Sequence, residues 1–116
     1  MRTLTLADLT ADEIDQLGAG LQLDVLVGTA LRLGEYASTP SYSQEIASAL
    51  DALEILREAK RLGAYSIFSP QLPFDTHWYI SIIDQALSVW SASLPVACCH
   101  LVLLTAVGER EEVEGE

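Results

Sequence analysis

The sequence is poor in positively charged residues. Only six of its 116 residues are lysine or arginine, against 17 aspartates and glutamates, so the formal net charge is −11. The phosphate backbone of nucleic acid binds proteins that carry many cations, and we therefore expect no long DNA or RNA partner. A small anionic ligand remains compatible with this charge, because a local cluster of cations and backbone N–H groups can outweigh the global field. A basic protein surface would be attracted to the chain.

Cysteine is scarce as well, and this argues against disulfides and zinc. Cys98 and Cys99 are adjacent, and neighbouring residues on a helix point about 100° apart, which disfavours a bridge between them. There is no CxxC pair and no spaced Cys/His set, so we expect no zinc site. The acidic residues within 45–58 do not follow EF-hand spacing, and we expect no metal. The cysteines are interpreted as small buried apolar residues.

Long apolar runs are also missing. The longest run, 93–107, is interrupted by His100 and falls short of the roughly 18 residues that a membrane span needs. The first ten residues lack the apolar region of a secretory signal, so we expect a cytoplasmic protein with no membrane partner. The length predicts a single α/β domain over 1–107, followed by an acidic disordered tail over 108–116.

Apolar residues spaced three and four apart predict helices at 20–33 and 44–62. An apolar run that begins with an N-cap serine, Ser93, and has Pro95 in its first turn predicts a third helix at 93–107. Thr10 and Glu13 have the spacing of a capping box, which predicts a further helical turn or two after Thr10. Ser43 stands where the N-cap of the second of these helices would lie.

Alternation with a period of two predicts strands at 64–69, 76–84 and 86–93. The short link at Asp84–Gln85 predicts a hairpin between the last two strands. In the middle strand, alternation places Trp78, Ile80 and Ile82 on one face and His77, Tyr79, Ser81 and Ile83 on the other. The predicted fold class is α+β, layered, in the order helix-helix-strand-strand-strand-helix, with a small antiparallel three-stranded sheet packed by helices.

Catalytic motifs are missing from the sequence. It contains no GxSxG, HExxH, P-loop or GxGxxG pattern. Cys98 and His100 point about 200° apart on a helix, so they form no nucleophile–base pair within it. A pair between His77 and a cysteine of the last helix is geometrically open, but nothing favours it. We expect a non-enzymatic protein with no catalytic residues and no cofactor.

Four short motifs resemble a known family. They are LDVLV at 23–27, PSYS at 40–43, the strand tryptophan Trp78, and PVAC at 95–98. Together they resemble the phage ABA sandwich domain family, small proteins of tailed phages that are mostly of unassigned function. The chain departs from the family pattern at Cys99 and His100, where the pattern has a cation, and inside the second helix, where it has an aromatic residue. The resemblance covers about 20–107 and implies a phage origin and a layered α/β fold, but no activity. The expected location is then the cytoplasm of the host cell.

Six residues form the predicted ligand site: Tyr42, Ser43, Arg57, Arg61, His77 and Trp78. Unsatisfied N–H groups and a positive dipole end at the start of the second helix would accept a phosphate. Trp78, Tyr79 and Trp90 would offer flat faces to a base, and the arginines would supply charge if a neighbouring subunit brings them close. The alternative is that Ser43 only caps the helix and Trp78 only fills the core. The ring of Tyr42 would then contact core, partner subunit or ligand.

The functional hypothesis is a non-enzymatic phage accessory protein that acts in counter-defence. It would form a homo-oligomer and sequester a small nucleotide-like immune signal, such as a cyclic nucleotide or an ADP-ribose-type molecule. Open sheet edges and a last helix that is apolar nearly all round favour the homo-oligomer. The alternatives are an acidic protein-binding inhibitor of a host defence factor and an accessory phage protein with no ligand.

Overall fold

The computed structural model of the chain describes residues 9–31, 41–59, 61–70, 77–82 and 87–114. Within these ranges the elements are α1 (Ala11–Gln16), α2 (Leu21–Leu31), α3 (Ile46–Glu58), β1 (Tyr65–Phe68), β2 (Trp78–Ile82), β3 (Leu87–Ser91) and α4 (Leu94–Glu114). The strands form one antiparallel sheet in the order β1-β2-β3. The predicted α+β class with a three-stranded sheet packed by helices is confirmed.

The first helix begins as the sequence predicts. The Thr10 hydroxyl accepts a hydrogen bond from the Glu13 N–H, and the Glu13 carboxylate accepts one from the Thr10 N–H, so the capping box is complete. The helix ends at Gln16, and its C-cap residue Leu17 donates its N–H to the carbonyl of Ile14. Ile14 is completely buried and packs this helix against the core.

Helix α4 is the centre of the fold. It packs against α1, α2 and α3 and also against β2 and β3. Five of its residues are fully buried: Ala97, Cys98, Leu101, Val102 and Leu103. The helix is apolar nearly all round because elements of its own chain cover it, so its composition is no argument for a second copy. No helix in the described part of the chain is long and apolar enough to cross a membrane.

The end of α4 differs from the prediction. The helix continues to Glu114 instead of ending near Val107, so the acidic segment predicted to be disordered has helical backbone through 108–114. A single glycine inside a helix, here Gly108, costs only about 1 kcal/mol relative to alanine, and the glutamates and arginine that follow are good helix formers. Residues 115–116 lie outside the described residues.

The register of the sheet gives it two different faces. On the inner face Ile67 lies opposite Ile80, and Ile80 lies opposite Val89. Ile80 and Ile82 are buried and Trp78 is half-buried against the same core, which confirms the predicted alternation in β2. The predicted turn at Asp84–Gln85 and the residue Ile83 lie outside the described residues, although the antiparallel pairing of β2 with β3 is confirmed.

Candidate functional site

Ser43 does not cap α3, which corrects the sequence prediction. The helix begins at Ile46, and its N-cap residue Glu45 makes no side-chain capping bond. The Ser43 hydroxyl accepts a hydrogen bond from the Gly20 N–H at 2.9 Å and donates to the Gly20 carbonyl at 3.3 Å. The Ser43 N–H donates to Oδ1 of Asp24 at 2.7 Å. Ser43 therefore fastens the start of α2 to the turn before α3.

Burial closes this region to a ligand. Ser43 is 1% exposed and Tyr42 is 3% exposed, and Tyr42 belongs to the main hydrophobic core. Asp24, which receives the Ser43 N–H, is 6% exposed. The ring of Tyr42 thus contacts the core, and neither Tyr42 nor Ser43 offers an open surface. Two of the sequence motifs, LDVLV and PSYS, meet here through Asp24 and Ser43.

The two arginines of the predicted site lie at the other end of α3. Arg57 Nε donates to Oε2 of Glu54 at 2.7 Å, and the Tyr65 hydroxyl donates to Oε1 of the same carboxylate at 2.9 Å. Arg61 follows the helix, and its N–H donates to the carbonyl of Leu56. From Ile46 to Arg57 the helix rises about 16 Å, so one copy of the chain does not bring Arg57 to Ser43.

The Glu54 carboxylate changes the titration of its neighbours. The hydrogen bond from Arg57, followed by that from Tyr65, lowers the pKa of Glu54. Burial, with the hydrogen bond to Glu54, raises the pKa of Tyr65 to about 12. The three side chains join α3 to β1 at the surface, where an ion pair of this kind contributes little to stability. Arg57 is engaged in this structural contact.

His77 and Trp78 face opposite sides of the sheet. The Trp78 side chain packs against the core from the inner face. The His77 ring lies on the other side, with its centroid 6.2 Å from that of Trp90. Of the six residues predicted for the site, His77 is therefore the one that lies on the face of the sheet opposite α4.

That opposite face, here called the outer face, is defined by seven residues: Ser66, Phe68, His77, Tyr79, Ser81, Ser88 and Trp90. Phe68, Tyr79 and Trp90 form a row across all three strands. The ring centroids are 5.8 Å apart between Phe68 and Tyr79 and 5.6 Å apart between Tyr79 and Trp90. Phe68 is 53% exposed and Trp90 is 60% exposed. The row is thus an aromatic surface whose two outer rings are exposed and whose middle ring, Tyr79, is half-buried.

A second row lies next to the aromatic one. Ser66, Ser81 and Ser88 are opposite one another across the three strands. Each is two residues along its strand from an aromatic residue, a separation of about 7 Å. None of the seven residues of the outer face is an aspartate, glutamate, lysine or arginine. The face therefore combines flat rings with neutral hydroxyl groups.

Sequence reasoning found only part of this face. It named Tyr79 and Trp90 as flat surfaces, but it placed them with Trp78, which faces the core. It missed Phe68 and the serine row, because those residues are joined only by the register of three strands. Alternation in β1 and β3 predicts which residues of each strand share a face. It does not predict the register between strands, and no turn sequence fixes that register.

The cysteines and His100 do not form a chemical site. Both thiols are free and buried, and burial raises the pKa of Cys98 to about 12 and that of Cys99 further upward. A thiol held neutral in this way is a poor nucleophile. His100 Nε2 lies 2.8 Å from the Leu17 carbonyl, and because a carbonyl only accepts, this nitrogen donates. Among the described residues, no group of three His, Cys, Asp or Glu could hold a metal ion.

Comparison of the chain with protein-family models, with curated proteins and with solved structures gives no match. The resemblance to the phage ABA sandwich domain family accordingly rests on the four sequence motifs alone.

Proposed function

We propose that the protein is a non-enzymatic binding protein that holds a small nucleotide-like molecule on the outer face of its sheet. The main support for the proposal is the aromatic row of Phe68, Tyr79 and Trp90, in which Phe68 and Trp90 are exposed. Large aromatic side chains contribute most when buried, so leaving two of them more than half exposed forgoes folding free energy. An exposed apolar patch on a small protein commonly marks an interaction site.

The chemistry of the row suits a flat ring. A base stacked on an aromatic side chain contributes roughly 1–3 kcal/mol, whatever the base. One stacked base alone therefore binds more weakly than about 1 mM, since that affinity corresponds to about 4 kcal/mol. Capture of a signal molecule needs further contacts. Self-association supplies them in this proposal, with the ligand held between the outer faces of two copies, as ligands commonly sit between subunits.

The proposed cellular role is the one predicted from the sequence, a phage accessory protein that sequesters a small immune signal. The four motifs that resemble a phage family support a phage accessory protein in the host cytoplasm, and its action in counter-defence is part of the proposal. The raised pKa values of the two buried thiols make them poor nucleophiles, which supports sequestration without covalent chemistry at Cys98 or Cys99. The ligand would be a cyclic nucleotide or an ADP-ribose-type molecule held mainly by its base.

A second candidate function is an acidic inhibitor of a basic host protein. The net charge of −11 favours it, because such a field steers a basic partner towards the chain. The exposed face of Trp90 would then receive a lysine or arginine side chain through a cation–π contact. This candidate predicts strong weakening of a protein complex by salt, whereas ring stacking on an uncharged face depends little on salt.

Calorimetry with a panel of cyclic nucleotides and cyclic ADP-ribose isomers tests the proposal. Wild type should bind at least one member of the panel, and Trp90→Ala should weaken that binding at least about fivefold through loss of stacking. Ile46→Ala is the matched control, because Ile46 is a comparably exposed apolar residue on α3. No binding across the panel by folded wild-type protein would refute the proposal.

Native mass spectrometry of protein taken from an infected host tests the oligomer and the ligand together. The proposal predicts a species with two or more copies and an added small-molecule mass. The added mass should disappear from the Trp90→Ala variant and remain with Ile46→Ala. A monomer without added mass would contradict both parts of the proposal.

A further inference from the structure

We infer that the outer face recognises only the nucleoside part of its ligand, that is, a flat base with neutral sugar hydroxyls. Any phosphate lies outside the face and weakens binding, so the free nucleoside binds more tightly than its phosphorylated forms. This inference rests on the proposed function, since it assigns a ligand class to the same surface. It departs from the sequence prediction, which placed a phosphate at the start of α3, where Ser43 is now engaged by Gly20 and Asp24.

The two rows of the outer face match the two halves of a nucleoside. A base stacked on Tyr79 and Trp90 leaves its sugar beside the serine row, about 7 Å further along the strands. Serine hydroxyls both donate and accept hydrogen bonds, and so do the hydroxyls of a ribose. Ser81 lies on the central strand, between Ser66 and Ser88, and is the serine best placed to meet that sugar.

Charge argues against a phosphate on this face. The seven residues include no lysine or arginine, and the chain as a whole carries −11. Arg57 is held by Glu54 at 2.7 Å in the contact that joins α3 to β1. A phosphate would therefore bring negative charge to an acidic protein without a lysine or arginine on the described face to receive it. The repulsion is strongest at low ionic strength, where the Debye length is long.

The small area of the outer face favours a small ligand over direct contact with a second copy of the chain. Three strands of four to five residues cover about 14 by 17 Å, or about 240 Å². A standard protein interface buries about 800 Å² on each partner. The face is thus too small to hold two copies together without a ligand, but it is large enough for one base and its sugar.

The test is titration of the full chain with adenosine, 5′-AMP and ATP, followed by calorimetry and tryptophan fluorescence. We expect adenosine to bind most tightly, AMP more weakly and ATP most weakly, with differences that shrink as salt rises from about 0.02 M to about 0.15 M.

Variants of the outer face test the residues involved. Ser81→Ala should weaken the binding of adenosine about three- to tenfold, the effect of one neutral hydrogen bond. Trp90→Ala should weaken it at least about fivefold, and Ile46→Ala should have no effect. Circular dichroism confirms that each variant is folded.

The possible outcomes distinguish failure of this inference from failure of the proposed function. Tighter binding of AMP or ATP than of adenosine, lost in Trp90→Ala, would overturn the inference and leave the proposed function standing. No binding of any of the three up to about 10 mM, with binding retained by a member of the cyclic panel, would overturn the inference alone. No binding across the cyclic panel would overturn the proposed function. Adenosine binding that Trp90→Ala leaves unchanged would place the ligand elsewhere and contradict both. Dimerisation without ligand, lost in Trp90→Ala, would identify the face as an interface between copies and overturn the inference.

Discussion

Removal of the Ser43 hydroxyl tests the finding that this residue joins two helices. Ser43→Ala deletes one acceptor for the Gly20 N–H at 2.9 Å and one donor to the Gly20 carbonyl at 3.3 Å. Leaving a buried donor without its partner costs about 1–3 kcal/mol, the Gly20–Ser43 contact is only part-buried, and the longer second bond adds little. The bond from the Ser43 N–H to Asp24 remains, because it belongs to the backbone. We therefore expect a loss of about 1–2 kcal/mol in the free energy of unfolding.

Urea denaturation followed by circular dichroism measures this loss. Ser48→Ala is the control, because Ser48 is only half-buried on α3 and such substitutions usually change stability by less than about 0.5 kcal/mol. Ser43→Asp separates the two interpretations of this residue. Aspartate is among the best N-cap residues, so a capping role predicts unchanged stability. In the buried contact it places a second carboxylate beside Asp24, and we expect Ser43→Asp to be less stable than Ser43→Ala. A Ser43→Asp variant as stable as wild type would refute the assigned role.

Two further predictions concern the sheet. Ile80→Ala on the inner face should cost about 2–5 kcal/mol in the free energy of unfolding, because Ile80 is fully buried, whereas Trp90→Ala should cost far less; equal losses in urea denaturation would contradict the assignment of the faces. Tyr65 should titrate near pH 12 by phenolate absorbance, since burial and Glu54 raise its pKa from 10 to about 12. Because this pKa is raised in the folded state, neutral Tyr65 contributes fully to the free energy of unfolding below pH 10. That contribution is lost as the pH rises from about 10 to about 12. Tyr65→Phe should remove that pH dependence, and an ordinary midpoint near 10 would contradict the contact with Glu54.

The existence and order of the elements could be predicted because they follow from local periodicity. Three- and four-residue spacing predicts α2 and α3, an apolar run with an N-cap serine and a first-turn proline predicts α4, and alternation predicts the three strands. The end of α4 could not be predicted in the same way. An acidic segment after Gly108 has no apolar stripe, so composition favoured disorder, whereas the established helix and good helix formers extend it to Glu114.

The site was harder to predict because it depends on contacts that are distant in sequence. Ser43 has the local signature of an N-cap, and its actual partners, Gly20 and Asp24, lie 23 and 19 residues away. The aromatic row likewise requires the pairing of Phe68 with Tyr79 and of Tyr79 with Trp90. Strand register is fixed by turns and by buried neighbours, and this sequence carries no strong turn signal to set it.

The measurement that tests the central claim most directly is a map of backbone amide chemical shifts on titration with adenosine. If the outer face binds a flat ring, the largest shifts should cluster on β1, β2 and β3 near Phe68, Tyr79 and Trp90, and the Trp90→Ala variant should lose them. Shifts clustered at 41–45 would contradict the account, as would shifts at the end of α3 or no shifts at about 10 mM adenosine.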